Sequence, residues 1–160
     1  MNAQSQWQFV GSVPENYERY LVASIFAAWA DDLVEVAALQ PSERVLDIAC
    51  GTGIVARTAA RKLGSGGRVV GLDLSAPMLA VARTAATAEG MTVEWREGSA
   101  AKLPLPDGAF DIVFCQQGLQ FFPDRPAALR EMFRVLSPRG TLGAQRLAGN
   151  RAKPRIRRTG

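Results

Sequence analysis

The sequence predicts an α/β domain built on a doubly wound parallel sheet. Short apolar runs that suit central parallel strands alternate along the chain with segments of helical composition. One of these runs, residues 45–48 (VLDI), leads directly into the small-residue turn 49–53 (ACGTG). A second run ends at Asp73, about twenty residues further on. Strand, glycine turn, helix, strand and acid together form one βαβ unit, which is the plan of a nucleotide-type cofactor site at the carboxyl ends of the strands.

The same alternation assigns the other elements in order. Residues 129–136 place apolar side chains at i, i+3, i+4 and i+7, the spacing of one helix face. Ser75, which precedes Ala76 and Pro77, is placed to cap a helix and leaves Asp73 free for a ligand. The predicted helices span residues 19–39, 54–63, 76–89 and 126–136, and the predicted strands span residues 45–49, 68–74, 92–96, 110–115 and, least regularly, 141–145.

Composition predicts a cytoplasmic protein with a single core. The chain has 160 residues, of which 48% are hydrophobic, and it contains no apolar run near the eighteen that a membrane span needs. The amino terminus lacks the basic start and apolar centre of a signal peptide. Cys50 and Cys115 lie at the ends of the first and fourth predicted strands, and two cysteines make no disulfide framework, so buried thiols are expected rather than redox or metal roles.

The glycine turn explains how a ligand could lie on the main chain. Gly51 and Gly53 have no Cβ atoms to keep a ligand away from backbone N–H groups. The turn opens a helix whose first N–H groups are unpaired. An acid at the position of Asp73 can accept hydrogen bonds from ribose hydroxyls.

Two ligand classes fit this turn, and they imply different enzymes. Gly51-x-Gly53-x-x-Ala56 can be a dinucleotide fingerprint, which implies NAD and a reductase. Asp47 opposes that interpretation, because the pyrophosphate of NAD would meet a negative charge just before the turn. A cationic ligand such as S-adenosylmethionine, which carries a sulfonium and an ammonium, would be favoured there.

With its further motifs the chain resembles class I S-adenosylmethionine-dependent methyltransferases of the group that makes ubiquinone and menaquinone. The resemblance covers roughly residues 13–142 and implies a Rossmann-like fold. Ala49 replaces the usual first glycine of the opening motif. The matching segments are 47–53 (DIACGTG), 71–79 (GLDLSAPML), 98–104 (GSAAKLP), 110–113 (FDIV) and 129–138 (LREMFRVLSP).

The resemblance implies a role for each matching residue. The methionine end of the cofactor would lie beside the opening motif, Asp73 would bind the ribose, and Leu74 and Met78 would flank the adenine. Ser99 stands where the family often has an acid, so the adenine contact would be weaker. Tyr17 and Tyr20 resemble a lid. The cofactor-binding residues implied are Tyr20, Asp47, Ala49, Gly51, Gly53, Asp73, Leu74, Met78, Ser99, Ala100 and Gln116.

The methyl acceptor is expected to be a small molecule, and no catalytic base or metal ligand is assigned. Gln116 and Gln117 would face the transferred methyl group, while Phe121 and Phe122 are expected to pack rather than bind. Methyl transfer depends mainly on alignment, because the sulfonium is already activated. The chain contains no His, which argues against a Ser/His/Asp hydrolase. An inactive cofactor-binding module and an NAD-dependent reductase stay open as alternatives.

The carboxyl terminus departs from the resemblance. The predicted organisation is a lid region over residues 1–40, a cofactor-binding core over 41–145 and a basic, disordered tail over 146–160. No counterparts of the family's last strands are expected. The tail has six basic residues and no acid, whereas residues 1–145 have 13 basic and 15 acidic residues. A truncated or frameshifted gene, a plain disordered tail and a nucleic-acid or membrane-binding arm stay open, although no nucleic-acid or membrane partner is predicted.

Overall fold

The protein folds around one six-stranded sheet in the order β3-β2-β1-β4-β5-β6. A computed structural model describes residues 12–145 and 153–157. Strands β1 to β5 are parallel to their neighbours, and β6 is antiparallel to β5. The strands are β1 (Arg44–Ile48), β2 (Arg68–Asp73), β3 (Glu94–Glu97), β4 (Phe110–Gln116), β5 (Leu136–Gln145) and β6 (Lys153–Arg157).

Helices cover both faces of the sheet, as a doubly wound fold requires. The first helical stretch is continuous: α1 (Val13–Asn16) runs into π-helical turns (Tyr17–Phe26) and then into α2 (Ala27–Ala37). It therefore begins earlier than the predicted residue 19, and it ends where Ala38 adopts a left-handed conformation. The remaining helices match their predictions to within one residue at each end, and they are α3 (Ile54–Leu63), α4 (Ala76–Ala88) and α5 (Arg125–Val135).

Alternate side chains of the central strands form two cores. Val45, Ile112 and Phe114 face α2 and α3 and join one buried cluster. Leu46 and Val113 face the other side, where Met132 and Val135 of α5 complete a second cluster. The period-2 alternation of the strands therefore produces a sheet that is buried on both faces. This packing fixes the carboxyl ends of β1, β2 and β4 at one edge.

The carboxyl-terminal strands differ from the sequence-based expectation. Strand β5 begins directly after α5 rather than at residue 141, and β6 pairs Ile156 with Leu142 and Lys153 with Ala144. The expectation that no strand follows residue 145 is therefore corrected. An unpaired β5 edge offers N–H and C=O groups to any extended segment, and Pro154 with charged neighbours is typical of an edge strand. The other parts of the predicted tail, residues 146–152 and 158–160, lie outside the described residues.

Candidate active site

A cavity of about 1030 Å³ lies at the carboxyl ends of β1, β2 and β4. This is the point where the strand order reverses, which is the usual ligand position in an open α/β sheet. Nine of the eleven predicted binding residues line the cavity, whereas Asp47 and Gly53 do not. The nine are Tyr20, Ala49, Gly51, Asp73, Leu74, Met78, Ser99, Ala100 and Gln116.

The glycine turn is joined to the end of β2 by Asp73. The backbone N–H of Gly51 donates to Asp73 Oδ2 at 2.8 Å, and the N–H of Ser75 donates to Oδ1 at 2.8 Å. Burial raises the pKa of Asp73, and the backbone N–H groups of Ser75, Gly51 and Leu74 partly offset that shift. A carboxylate has about four acceptor positions. Asp73 therefore holds the turn in place and still has an acceptor position for a ligand hydroxyl.

Gly51 is favoured by its backbone conformation. Its φ is +56°, a left-handed conformation that glycine adopts readily. A Cβ on Gly51 would lie 3.9 Å from the Tyr17 ring, an ordinary contact, so packing alone does not exclude a side chain there. The preceding Ala49 has a φ of +54° despite its Cβ, so the turn carries backbone strain.

Asp47 lies beneath the turn instead of in the cavity. Its side chain is 1% exposed, and Oδ2 accepts a hydrogen bond from the backbone N–H of Ala56 at 3.1 Å. Burial raises the pKa of Asp47 to about 8; the Ala56 bond opposes this shift, and the nearby charge of Asp73 adds to it. The structure thus shows Asp47 bonded to the first turn of α3, and its charge would act on a ligand only when the carboxyl group is ionised.

Gly53 must lack a side chain because Trp95 packs against it, although Gly53 does not line the cavity. A Cβ on Gly53 or on Gly71 would overlap the Trp95 ring, which packs between the turn and β2. Gly53 also begins α3 with a φ of +83°. Sequence reasoning missed Trp95, because a tryptophan between charged residues of a short strand carries no signal of the glycines it will meet.

The proposed adenine side is formed by α4 and the loop after β3. Met78 is buried, and its N–H donates to the Ser75 hydroxyl at 3.4 Å, which confirms Ser75 as the cap of α4. The N–H of Gly98 donates to the carbonyl of Asp73 at 3.0 Å and so fixes the loop to β2. The Ser99 hydroxyl accepts from the N–H of Ala101 at 3.3 Å, so it is partly engaged already.

In the predicted lid, Tyr17 lies closer to the glycine turn than Tyr20. Tyr17 stacks on Phe26 with ring centroids 5.5 Å apart. Burial, with further contributions from the charges of Asp73, Asp47 and Glu18, raises the pKa of Tyr17 to about 12. Tyr20 is 56% exposed. Tyr17 is therefore a neutral hydrogen-bond donor at the cavity wall and not a base.

An ion pair that the sequence did not indicate ties this helical stretch to the core. Arg57 of α3 is 2% exposed, and its Nη2 donates to Glu18 Oε1 at 2.6 Å. Its Nη1 pairs with Glu89 just after α4. The partners lie 39 and 32 residues away along the chain, so sequence spacing gives no sign of them.

The end of β4 supplies the remaining wall. Gln117 follows β4 with a φ of +58°, and it borders the cavity together with Phe121 and Phe122. Both aromatic residues therefore line the site, which differs from the expectation that they only pack.

The two cysteines are buried thiols, as predicted, and burial raises the pKa of Cys115 to about 12. Among the described residues no group of His, Cys, Asp and Glu side chains could hold a metal ion.

No helix in the described ranges is both long enough and apolar enough to cross a membrane.

Comparison with known proteins identifies the family. Residues 45–140 match the methyltransferase domain family. The chain is 36% identical over 131 residues to 2-phytyl-1,4-naphtoquinone methyltransferase of Synechococcus elongatus, which covers 81% of this chain and 56% of that protein. It is 43% identical over 114 residues to demethylmenaquinone methyltransferase of Thermus thermophilus, which covers 71% and 51%. The chain thus spans about half the length of these curated relatives.

The solved structures agree on the fold. A SAM-dependent methyltransferase from Aquifex aeolicus superposes with a TM-score of 0.76 at 22% identity, over 92% of this chain and 78% of that one. The predicted Rossmann-like parallel sheet is therefore confirmed. S-adenosylmethionine is the methyl donor used in this family, which agrees with the cofactor that the motifs predict. The chain belongs to the methyltransferase domain family.

Proposed function

We propose that this cavity binds S-adenosylmethionine and that the protein transfers the methyl group to a quinone-type small molecule. The observation that carries the proposal is Asp73, whose carboxylate borders the cavity while it holds the Gly51 N–H. This arrangement joins the proposed ribose acceptor to Gly51, where no side chain covers the main chain.

The charge of the cavity supports a cationic cofactor. Among the described lining residues are two carboxylates, Asp73 and Asp124, and no Lys or Arg. Asp47 adds negative potential from below the turn when it is ionised. A sulfonium and an ammonium are attracted by such a field, whereas the phosphates of NAD or of a nucleic acid would be repelled. The acceptor is therefore proposed to be a free small molecule, and the reaction is proposed to take place in the cytoplasm.

The cofactor fits the residues that line the site. Asp73 would accept from the ribose hydroxyls, Leu74 and Met78 would pack on the adenine, and Ser99 and Ala100 would border its edge. Ala49, Gly51, Tyr20 and Gln116 would enclose the methionine part. When bound, S-adenosylmethionine supplies an activated methyl group, so the protein's task is alignment of the acceptor and exclusion of water.

The quinone-type acceptor is proposed from the relatives and from the apolar wall of the cavity. The two curated relatives are named for methylation of naphthoquinone-type and menaquinone-type molecules. Leu21, Phe26, Phe121 and Phe122 give this chain a surface on which a flat apolar ring could lie.

Calorimetric titration with S-adenosylhomocysteine tests the proposal, with NADH as the control ligand. We expect micromolar binding of the first and none of the second. Asp73→Ala should weaken binding by about 10- to 100-fold, because a hydrogen bond to a charged group contributes roughly 1.5–3 kcal/mol. Asp31→Ala, on an exposed face of α2, is the matched control and should bind like the parent chain. Binding of NADH alone, or unchanged affinity in a folded Asp73→Ala protein, would contradict the proposal.

A further inference from the structure

Arg57 is a buried cation that joins three segments of the chain beside the glycine turn. The residue is 2% exposed, and its Nε donates to the carbonyl oxygen of Gly53 at 3.4 Å. Its Nη2 donates to Glu18 Oε1 at 2.6 Å, and its Nη1 pairs with Glu89. Glu18 belongs to the π-helical turns, Gly53 to the glycine turn, and Glu89 follows α4. Because a guanidinium is planar and rigid, these contacts fix the three segments relative to one another.

The π-helical turns Tyr17–Phe26 bury few of their own side chains. Of these ten residues only Val22 and Phe26 are buried, and six are exposed. Such turns usually occur singly and are frequent at functional sites. Among the ion pairs of the described residues, the one between Glu18 and Arg57 joins this stretch to α3. The first turn of the stretch is therefore held by a polar contact more than by apolar packing.

The Glu18–Arg57 pair is an inefficient source of stability. Glu18 Oε2 is buried and has no hydrogen-bond partner in the described chain, so one carboxylate oxygen has lost water without a replacement. Buried ion pairs in general add little net stability, because the desolvation of both charges offsets their attraction. The pair does fix a direction, since the guanidinium donates only along its own N–H bonds. Its contribution is therefore the position of the segment that carries Glu18.

Tyr17 is the cavity residue that this pair positions. It directly precedes Glu18 and lines the cavity, whereas Glu18 does not. Its ring lies beside the glycine turn, since a Cβ on Gly51 would be 3.9 Å from Tyr17 Cε1. The ring stacks on Phe26, which belongs to the same helical stretch and so does not tie the ring to the turn. The contact with Arg57 provides that tie, because Arg57 also bonds the last residue of the turn.

We infer that Arg57 is a positioning residue for the cofactor site: through Glu18 it holds the Tyr17 ring against the glycine turn. This inference rests on the proposed function, since the ligand that Tyr17 would contact is S-adenosylmethionine. A wall that already has its bound position costs no ordering when the ligand arrives, and the ligand is bound more tightly for that reason. Loss of the Glu18–Arg57 pair should therefore weaken cofactor binding, although neither residue lines the cavity.

Calorimetric titration with S-adenosylhomocysteine tests this inference in two matched variants. Glu18→Ala and Glu89→Ala each remove one acid from the same guanidinium, but only Glu18 lies next to Tyr17. We expect Glu18→Ala to bind about fivefold more weakly, because the ligand must then order the ring. Glu89→Ala should bind like the parent chain. Glu18→Gln, whose amide oxygen can still accept from Arg57, should restore part of the affinity.

A Tyr17→Leu background separates positioning from a general loss of stability. Glu18→Ala should change the affinity less in this background than in the parent chain, because the ring that it positions is gone. Urea unfolding establishes that each variant is folded. If Glu18→Ala does not fold, Glu18→Gln and Glu89→Gln provide the same comparison.

Three outcomes would overturn the inference. They are equal weakening in the Glu18 and Glu89 variants, unchanged affinity in folded Glu18→Ala, and a full effect of Glu18→Ala in the Tyr17→Leu background. Failure of the parent chain to bind S-adenosylhomocysteine would instead refute the proposed function, and with it the ligand on which this inference rests.

Discussion

The two ends of the parallel sheet hold their carboxylates in opposite electrostatic environments. At the amino end, Asp111 accepts from the backbone N–H and the Nε of Arg44 at 3.0 Å each, and from its Nη2 at 2.8 Å. These bonds lower the pKa of Asp111. At the carboxyl end, Asp47 and Asp73 are bonded only by backbone N–H groups in the interactions described, and burial raises the pKa of both. The same sheet is thus stabilised by charge at one end and destabilised by it at the other.

Positive φ angles occur at both ends of the sheet among the described residues. Ala49, Gly51, Gly53 and Gln117 have them at the carboxyl end, close to the carboxylates with raised pKa, whereas Ala38, Gly64, Gly90 and Gly108 have them in the segments that precede the strands. At the carboxyl end, backbone strain lies beside buried carboxylates that have no cationic partner in the interactions described. This combination indicates a ligand-binding end, since a bound cation would lower the electrostatic cost of the buried carboxylates.

The largest effect is expected at Gly53, where the turn meets Trp95. Gly53→Ala would force a Cβ into the Trp95 ring and would also impose a side chain at a φ of +83°. Overpacking costs about 1–3 kcal/mol and a left-handed residue about 1–2 kcal/mol. We therefore expect the free energy of unfolding to fall by about 3 kcal/mol or more in urea titrations.

Gly90→Ala is the matched control, because Gly90 lies in an exposed turn after α4. Its φ is +69°, and a Cβ there would meet nothing within 4 Å. It should therefore lose only the backbone part, about 1–2 kcal/mol. Equal losses in the two variants would show that Trp95 yields to the added methyl group and that Gly53 is needed for conformation alone.

Opposite pH dependences are expected from the two ends. The pKa of Asp47 is about 8 in the folded chain, above the value near 3.9 of an unfolded one, so the folded state binds the extra proton between these values. Its contribution to stability is present at low pH and is lost as pH rises towards 8. In Asp47→Asn the amide oxygen can still accept from the N–H of Ala56. The free energy of unfolding of this variant should exceed that of the parent chain by about 2 kcal/mol at pH 8 and by less at pH 5. Thermal unfolding monitored across this range measures the difference.

Asp111 should give the opposite pH dependence of stability, and Asp111→Asn tests it. Since the folded pKa of Asp111 is lowered, its contribution is present above the unfolded value and is lost as pH falls through the folded one. The pair is partly exposed, so the loss at pH 7 should be only about 0.5–1 kcal/mol, and it should disappear in acid once Asp111 is protonated in both states. Parallel stability curves for Asp47→Asn and the parent chain between pH 5 and pH 8 would mean that Asp47 stays ionised in the folded protein.

The features that could be predicted from the sequence are those that depend on neighbouring residues in the chain. Apolar runs buried on both faces identify β1 and β4 directly, and Ser75 before Ala76 and Pro77 identifies the start of α4. These features are local, because each is decided by neighbours within a few residues. The nine lining residues were implied by the resemblance to the methyltransferase family, and all nine lie at one cavity.

Features that depend on distant neighbours could not be predicted in this way. Asp47 was expected beside the cofactor, but strand alternation puts it on the same face as Val45, under α3. Trp95 reaches Gly53 and Gly71 from another strand, and Arg57 finds acids far along the chain. Strand β6 was missed because its pairing comes from the open edge of β5 and not from its own pattern.

The smallest effect is expected at Ala49, and Ala38, which has a similar positive φ outside the cavity, is its matched comparison. Ala38 ends α2 with a φ of +52°, and Ala49 has a φ of +54° in the turn. Glycine relieves the left-handed conformation but raises the entropy of the unfolded chain, so Ala38→Gly should stabilise by about 1 kcal/mol. Ala49 is half-buried and its methyl group packs against Gly118. Ala49→Gly therefore also loses a buried methyl group worth about 0.8 kcal/mol, and its free energy of unfolding should be nearly unchanged.

Urea unfolding measures the change in free energy of unfolding for both variants. Titration with S-adenosylhomocysteine should then separate the two variants, because Ala49 lines the cavity and Ala38 does not. A stabilisation by Ala49→Gly as large as that by Ala38→Gly would show that the methyl group contributes no packing, and the strain at Ala49 would then have no structural compensation except through a ligand.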